Sequence, residues 1–213
     1  MKRLRVHVLS VRAICVVAIG LALVSCKSKS QAEVAGVWVA QAEGIEALPS
    51  GKAVALVRGQ LPADASDPVL GESKDVLLAI ARDVRWAKIR DLSKGLVERG
   101  RVPHLIVANG RKKGSFKLRD ELQGDPIKVF VSVGGKLCVA PPNSPEAKCV
   151  QRGDRSHVDR AFTRELVREA VKGYGLHDVI VDVPADLEWA DVVRAVDGSR
   201  TCCFEDKVRV RLK

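Results

Sequence analysis

Hydrophobic positions along this chain follow two rhythms. Short runs of Val, Ile and Leu, as at Asp75-Val76-Leu77-Leu78 and Asp178-Val179-Ile180-Val181, predict strands, and apolar residues recurring every three or four positions predict helices. Trp86, Ile89, Leu92 and Leu96 recur in this way, as do Trp189, Val192, Val193 and Val196, so each stretch is expected to be an amphipathic helix with one buried stripe. Closing strands are expected at Leu105 to Ala108 and at Val208 to Leu212. In the second of these, Val208, Val210 and Leu212 alternate with Arg209 and Arg211, which sets a buried face against a basic one. Further upstream, Ile127 to Val133 and Lys136 to Ala140 read as a hairpin joined at Gly134-Gly135, where glycines supply the positive φ of a tight turn. Ser156 to Asp159 opens a helix with Val158, Phe162, Leu166 and Ala170 on one face, ended by Gly173 and Gly175. In the first half, Val37 to Gln41 and Lys52 to Arg58 read as a looser hairpin, and Gln60 to Lys74 is too rich in Pro, Asp and Gly for a full helix.

The pattern is written twice. Asp75 to Val107 overlays Asp178 to Val210 at a constant offset of 103, with seven of 33 positions identical, among them the pairs Asp83/Asp186, Trp86/Trp189 and Gly95/Gly198. Asp83 and Asp186 each stand three residues before a tryptophan and are expected to cap the helix that follows. The fold expected is α+β: two related small αβ units, each a mixed sheet with helices packed on one face. The expected organisation is a leader over 1–25, a tether over 26–34, a first, degenerate unit over 35–110, a basic connector over 111–124 and a second unit over 125–213.

The leader has a distinct chemistry. Lys2, Arg3, Arg5 and Arg12 precede the uncharged run Ala13 to Ser25, which at thirteen residues is too short to cross a bilayer and ends in Leu23-Val24-Ser25-Cys26. Small residues before a cysteine resemble the lipobox of bacterial lipoproteins, which implies cleavage before Cys26 and lipidation of its thiol. The mature chain would then carry a net charge of +6 in place of +10 and sit on the periplasmic side of a membrane, the outer membrane by default because Lys27, not Asp, follows the cysteine. Acyl chains would hold it there without a spanning helix.

The second unit also resembles the periplasmic domain of the ExbD and TolR family. Val179-Ile180-Val181, Ala185-Asp186, Trp189, Val192-Val193 and Cys203 to Val208 take the places of that family's strand, A-D element, aromatic, V-V helix and final strand. Gly134-Gly135-Lys136-Leu137 looks like its strand-turn element. Trp stands where the family has Tyr, and Cys203 where it tends to have Gly. Members that drive transport carry a membrane helix with an acidic residue, whereas Ala13 to Ser25 holds no Asp or Glu. The resemblance therefore implies the binding half alone: dimerising domains, within one chain or as a homodimer, that contact peptidoglycan or partners of the Tol and Ton systems.

Four cysteines remain in the mature chain, Cys138, Cys149, Cys202 and Cys203, and allow three pairings. Cys138 and Cys149 bracket a proline-rich loop that a disulfide would clip, and the exported setting favours disulfides. Adjacent Cys202 and Cys203 rarely bond each other. The alternative reading is a thiol-redox or soft-metal-handling lipoprotein built on that pair, although no C-x-x-C occurs and neither His157 nor His177 has ligand spacing to a cysteine. No catalytic residue, cofactor or metal ligand is expected: there is no G-x-S-x-G turn and no phosphate-binding glycine loop, and Asp182 and Asp186 flank Pro184 with nothing to fix them as an acid/base pair. Arg111-Lys112-Lys113, Lys117 and Arg119 read as a solvated linker, or as a surface for anionic envelope polymers and head groups. Nucleic acid is excluded by location.

Overall fold

The structure is a computed structural model describing residues 32–132, 136–144, 146–151, 157–200 and 208–213. It opens on a small hairpin, β1 (Glu33–Val34) and β2 (Val37–Trp38), which turns through Ala35 and Gly36 at φ of 50° and 78°. The first main sheet runs β3 (Ala53–Leu56), β4 (Asp75–Ile80), β5 (Val102–Asn109), β6 (Lys112–Ser115), in that order. Its first three strands are parallel and β6 turns back on β5, with α1 (Trp86–Glu98) carrying the chain from β4 to β5. The second sheet holds β7 (Ile127–Val131), β8 (Leu137–Ala140), β9 (Lys148–Val150), β10 (Asp178–Asp182) and β11 (Arg209–Leu212), ordered β11-β10-β7-β8-β9. Here β7, β10 and β11 are parallel and the β7-β8-β9 side is antiparallel. Helix α2 (Arg160–Tyr174) precedes β10, and α3 (Trp189–Arg200) joins β10 to β11. The fold is α+β.

β4 shows why its sequence is a continuous apolar run. Val76, Leu78 and Ile80 enter the main core, while Leu77 and Ala79 face the other way and meet Val39, Ile106, Ala108 and Ala32 in a second, smaller one. A central parallel strand covered on both faces has no solvent side to mark with polar residues. That second core corrects the expected tether, because Ala32 is buried in it and Val34 packs against it. The expected hairpin of 37–41 with 52–58 does not form: β2 pairs with β1, and β3 runs parallel to β4 with Ala53 opposite Leu77. Asp67 caps a single 3-10 turn, Pro68–Leu70, in the stretch read as unable to form a full helix.

Helix α1 buries Trp86, Ile89, Leu92 and Leu96, the expected stripe. Helix α2 begins where Asp159 accepts hydrogen bonds from the Ala161 and Phe162 N–H groups and ends at Gly175, left-handed at φ 65°. Its buried stripe is Thr163, Leu166, Val167 and Val171, rotated from the expected one, with Phe162 and Ala170 at the margin. Helix α3 departs further. It buries Ala190, Asp191, Asp197 and Ser199 as well as the predicted stripe, because α2 and the Glu43-Gly44 turn cover its remaining sides. The gap-free overlay also fails at its end. Asp75 lies opposite Val102 but Asp178 lies opposite Arg209, so the second connection is four residues longer.

The basic connector is structured: Lys112–Ser115 is β6, and the residues after it run as an extended segment with a single bridge, Arg119 to Arg211. After β6, Phe116 donates to the Leu105 carbonyl; then Leu212 donates to Leu118 and Asp120 to Val210, so residues 116–120 leave the edge of the first sheet and line β11 at the edge of the second. The hydrophobic core follows the same path without interruption, from Leu78 and Leu96 through Phe116 and Trp189 to Val193 and Val210.

Candidate functional site

The two strand–helix–strand passages meet at the first turns of α1 and α3. A helix N-terminus leaves backbone N–H groups without intrahelical partners. Here each helix takes carbonyls from the loop before the other. Trp86 N–H donates to Leu187 O at 2.8 Å and Ala87 N–H to Ala185 O at 2.8 Å, while Trp189 N–H donates to Val84 O at 2.8 Å and Ala190 N–H to Arg82 O at 3.0 Å. Arg85 and Glu188 form an antiparallel bridge between these pairs. Every bond on one side has its counterpart 103 residues along, so the contact has a local two-fold character. The indoles of Trp86 and Trp189 stack across it with centroids 6.2 Å apart and planes 14° from parallel, and Phe116 meets Trp189 edge-on at 5.9 Å.

This arrangement overturns the capping role expected of Asp83 and Asp186. Both are exposed, the residue at the N-cap of α1 is Arg85 with no side-chain cap bond, and Asp186 instead receives Arg85 at its main-chain oxygen, 2.7 Å away. Carbonyls from a distant loop perform the task that sequence proximity assigns to a neighbouring carboxylate.

The buried carboxylates lie elsewhere. Asp178 accepts from the N–H groups of Gln123 (2.7 Å) and Gly124 (2.6 Å) and pairs with Arg209. Asp120 accepts from Val210 N–H at 2.9 Å and pairs with Lys117 and Arg200. Burial works against the charge on each, yet the hydrogen bonds and neighbouring cations outweigh it and hold both carboxyls below the ordinary range. Asp197, fully buried, accepts from Glu43 and Gly44 N–H and from Arg160, fastening the N-terminal segment to α3. Asp191 binds Val158 N–H, His157 and Arg194. These groups tie backbone segments together, and periodicity could not reveal them, since the backbone N–H groups they accept from lie 33 to 154 residues away in sequence.

His157, Glu188 and Asp191 bring three ligand-type atoms within 4.8 Å of one another. Arg194 already holds one oxygen of Asp191, and the cluster faces the first turn of α3, whose dipole favours anions over cations. The donor set fits an ion-pair network better than a metal. His104 pairs with Asp75 at 2.8 Å across β5 and β4.

Cys138 and Cys149 lie opposite one another on β8 and β9 and form a disulfide, in the pairing considered for the proline-rich loop. Cys26, Cys202, Cys203 and the Gly134-Gly135 turn lie outside the described residues. Among the described residues no helix is long and apolar enough to cross a membrane. Comparison with family models, with curated proteins and with solved structures returned no match.

Proposed function

We propose that this chain is a non-catalytic lipoprotein of the bacterial cell envelope, anchored through Cys26, whose two strand–helix–strand passages are copies of an ExbD/TolR-like periplasmic unit. In this reading it binds or scaffolds peptidoglycan or a Tol/Ton-type transport partner and has no proton-conducting helix of its own. The observation that carries it is the reciprocal clasp of α1 and α3: two similar passages cap each other as paired domains would, inside a single chain. The leader pattern supports export, and the Cys138–Cys149 disulfide suits an oxidising compartment.

The test is made on the full chain expressed with its leader. The protein should fractionate with membranes, Cys26→Ser should release it, and the purified protein should co-sediment with isolated peptidoglycan or crosslink to an envelope protein. Membrane association that survives Cys26→Ser defeats the anchor. Failure to retain either partner above background defeats the scaffold.

A further inference from the structure

A groove of about 680 Å³ runs beside α1, between that helix and the 116–119 segment with the end of β11. Its floor is apolar: Val97, Pro103, Leu105, Phe116, Leu118 and Leu212. Val97 is 61% exposed, a large aliphatic side chain held in water on the groove wall. Five bases, Arg90, Lys94, Lys117, Arg119 and Lys213, stand along the lining against one acid, Glu98. Four of the five touch a carboxylate: Arg90 touches Asp91, Lys94 touches Glu98, Lys117 touches Asp120 and Lys213 touches Asp182. In the Arg90, Lys94 and Lys213 pairs both groups reach solvent, which makes each a weak competitor for an arriving anion, whereas Lys117 is committed to the buried Asp120 carboxylate. Arg119 has no acidic partner among the described residues.

Two further groups in the same lining are unsatisfied. Trp86, 4% exposed, has an indole N–H, and Ser93 a hydroxyl, each buried with no partner among the described residues. Buried donors are normally paired, but Trp189 Nε1, outside the groove, is unpaired as well, so the case for a ligand rests on the apolar floor and the bases.

We infer that this groove is a binding site for a free single-chain fatty acid, its acyl chain along α1 and its carboxylate among the bases. The size falls in the range of sites for one small molecule. A peptide is the poorer occupant. An extended segment must satisfy its own N–H and C=O groups, and the strand edges beside the groove are already taken, β5 by Phe116 and β11 by Leu118 and Asp120. A saturated chain makes no such demand, and the charge of the lining selects an anionic head over a cationic one. The inference goes beyond the scaffold reading and does not depend on it.

The test uses the full chain with Cys26→Ser, so that it carries no lipid of its own, titrated calorimetrically with laurate below its micelle concentration. One saturable site is expected, with affinity falling about tenfold in Arg119→Glu and likewise in Val97→Asp. Both positions are exposed, and circular dichroism verifies that each variant is folded. Dodecyltrimethylammonium, with the same chain and the opposite charge, is expected to bind at least about tenfold more weakly. The inference is overturned by absence of saturable laurate binding, by affinity indifferent to both variants, or by equal affinity for the cationic amphiphile. It is also overturned if sedimentation shows that Val97→Asp merely dissociates a dimer, or if binding is seen only to phosphatidylglycerol vesicles.

Discussion

At the scale of single residues, position 103 apart does not mean equal work. Trp86 and Trp189 are buried at 4% and 0% exposure and stack on each other, whereas Asp83 and Asp186 are exposed with their helices capped by other groups. Replacing a real N-cap by alanine costs about 1 kcal/mol. Asp83→Ala and Asp186→Ala should each change stability by less than about 0.5 kcal/mol in urea melts. Trp86→Ala and Trp189→Ala should each cost about 3–5 kcal/mol, and the double mutant should fall short of their sum by roughly the ring-pair energy, about 0.5–1.5 kcal/mol. A full capping cost at either aspartate would restore the role that its spacing predicts. The buried carboxylates carry a pH signature. Asp178 and Asp120 have folded pKa values below their unfolded ones, so the stability they contribute is fully present above the ordinary carboxylate range and is lost as pH falls through the folded values. Asp178→Asn and Asp120→Asn should therefore lower stability at neutral pH and flatten its decline on acidification, as followed by denaturant midpoints from neutrality to strong acid. An unchanged acid slope in both variants would show that neither group carries the linkage.

Secondary structure was legible where it is decided locally. The stripe of α1, the Gly175 end of α2, the β7-β8 pairing and the alternation of β11 all follow from spacing within a single element, whereas α2 opens at Asp159, three residues after the expected start at Ser156, which lies outside the described residues. What was not legible depends on neighbours remote in sequence: the cover on both faces of β4, the all-round burial of α3, and the passage of the basic 111–120 stretch from β6 of the first sheet to hydrogen bonds with β11 of the second. The candidate site divides in the same way. The twin tryptophans and Cys138 with Cys149 could be singled out from their positions in the chain, but not the carbonyls that cap each helix from the opposite loop. Glycine gives the clearest test at this scale. A Cβ on Gly198 would lie 2.8 Å from the Arg160 carbonyl oxygen and 2.9 Å from Thr163 Cβ, where α3 presses on α2. Gly198→Ala, despite alanine's better helix propensity, should destabilise by about 1–3 kcal/mol through that overlap. Gly173, in α2 with nothing within 4 Å of its would-be Cβ, should respond in the opposite direction, Gly173→Ala stabilising by about 0.5–1 kcal/mol. Thermal melts of the two variants measure both signs. Equal effects would mean that the α2–α3 contact is looser than its geometry.

At the scale of the whole molecule, the two sheets are not free of one another. One apolar cluster includes side chains from both, the 116–120 segment hydrogen-bonds to β5 and to β11, and each of α1 and α3 obtains its first backbone acceptors from the other passage. Removing either half would leave the first-turn N–H groups of the remaining helix without protein acceptors and expose one face of its tryptophan. The halves are therefore expected to unfold together. Calorimetry at neutral pH should show a single transition whose van't Hoff and calorimetric enthalpies agree, and tryptophan fluorescence and far-ultraviolet circular dichroism should give coincident midpoints in urea. Because Trp86 and Trp189 report from the junction itself, a loss of their fluorescence ahead of the secondary structure would reveal sheets that part before they melt. Two separable transitions would have a further consequence. They would make the clasp a weak docking of independent units, and would remove the physical ground for treating the pair as a built-in counterpart of a dimer.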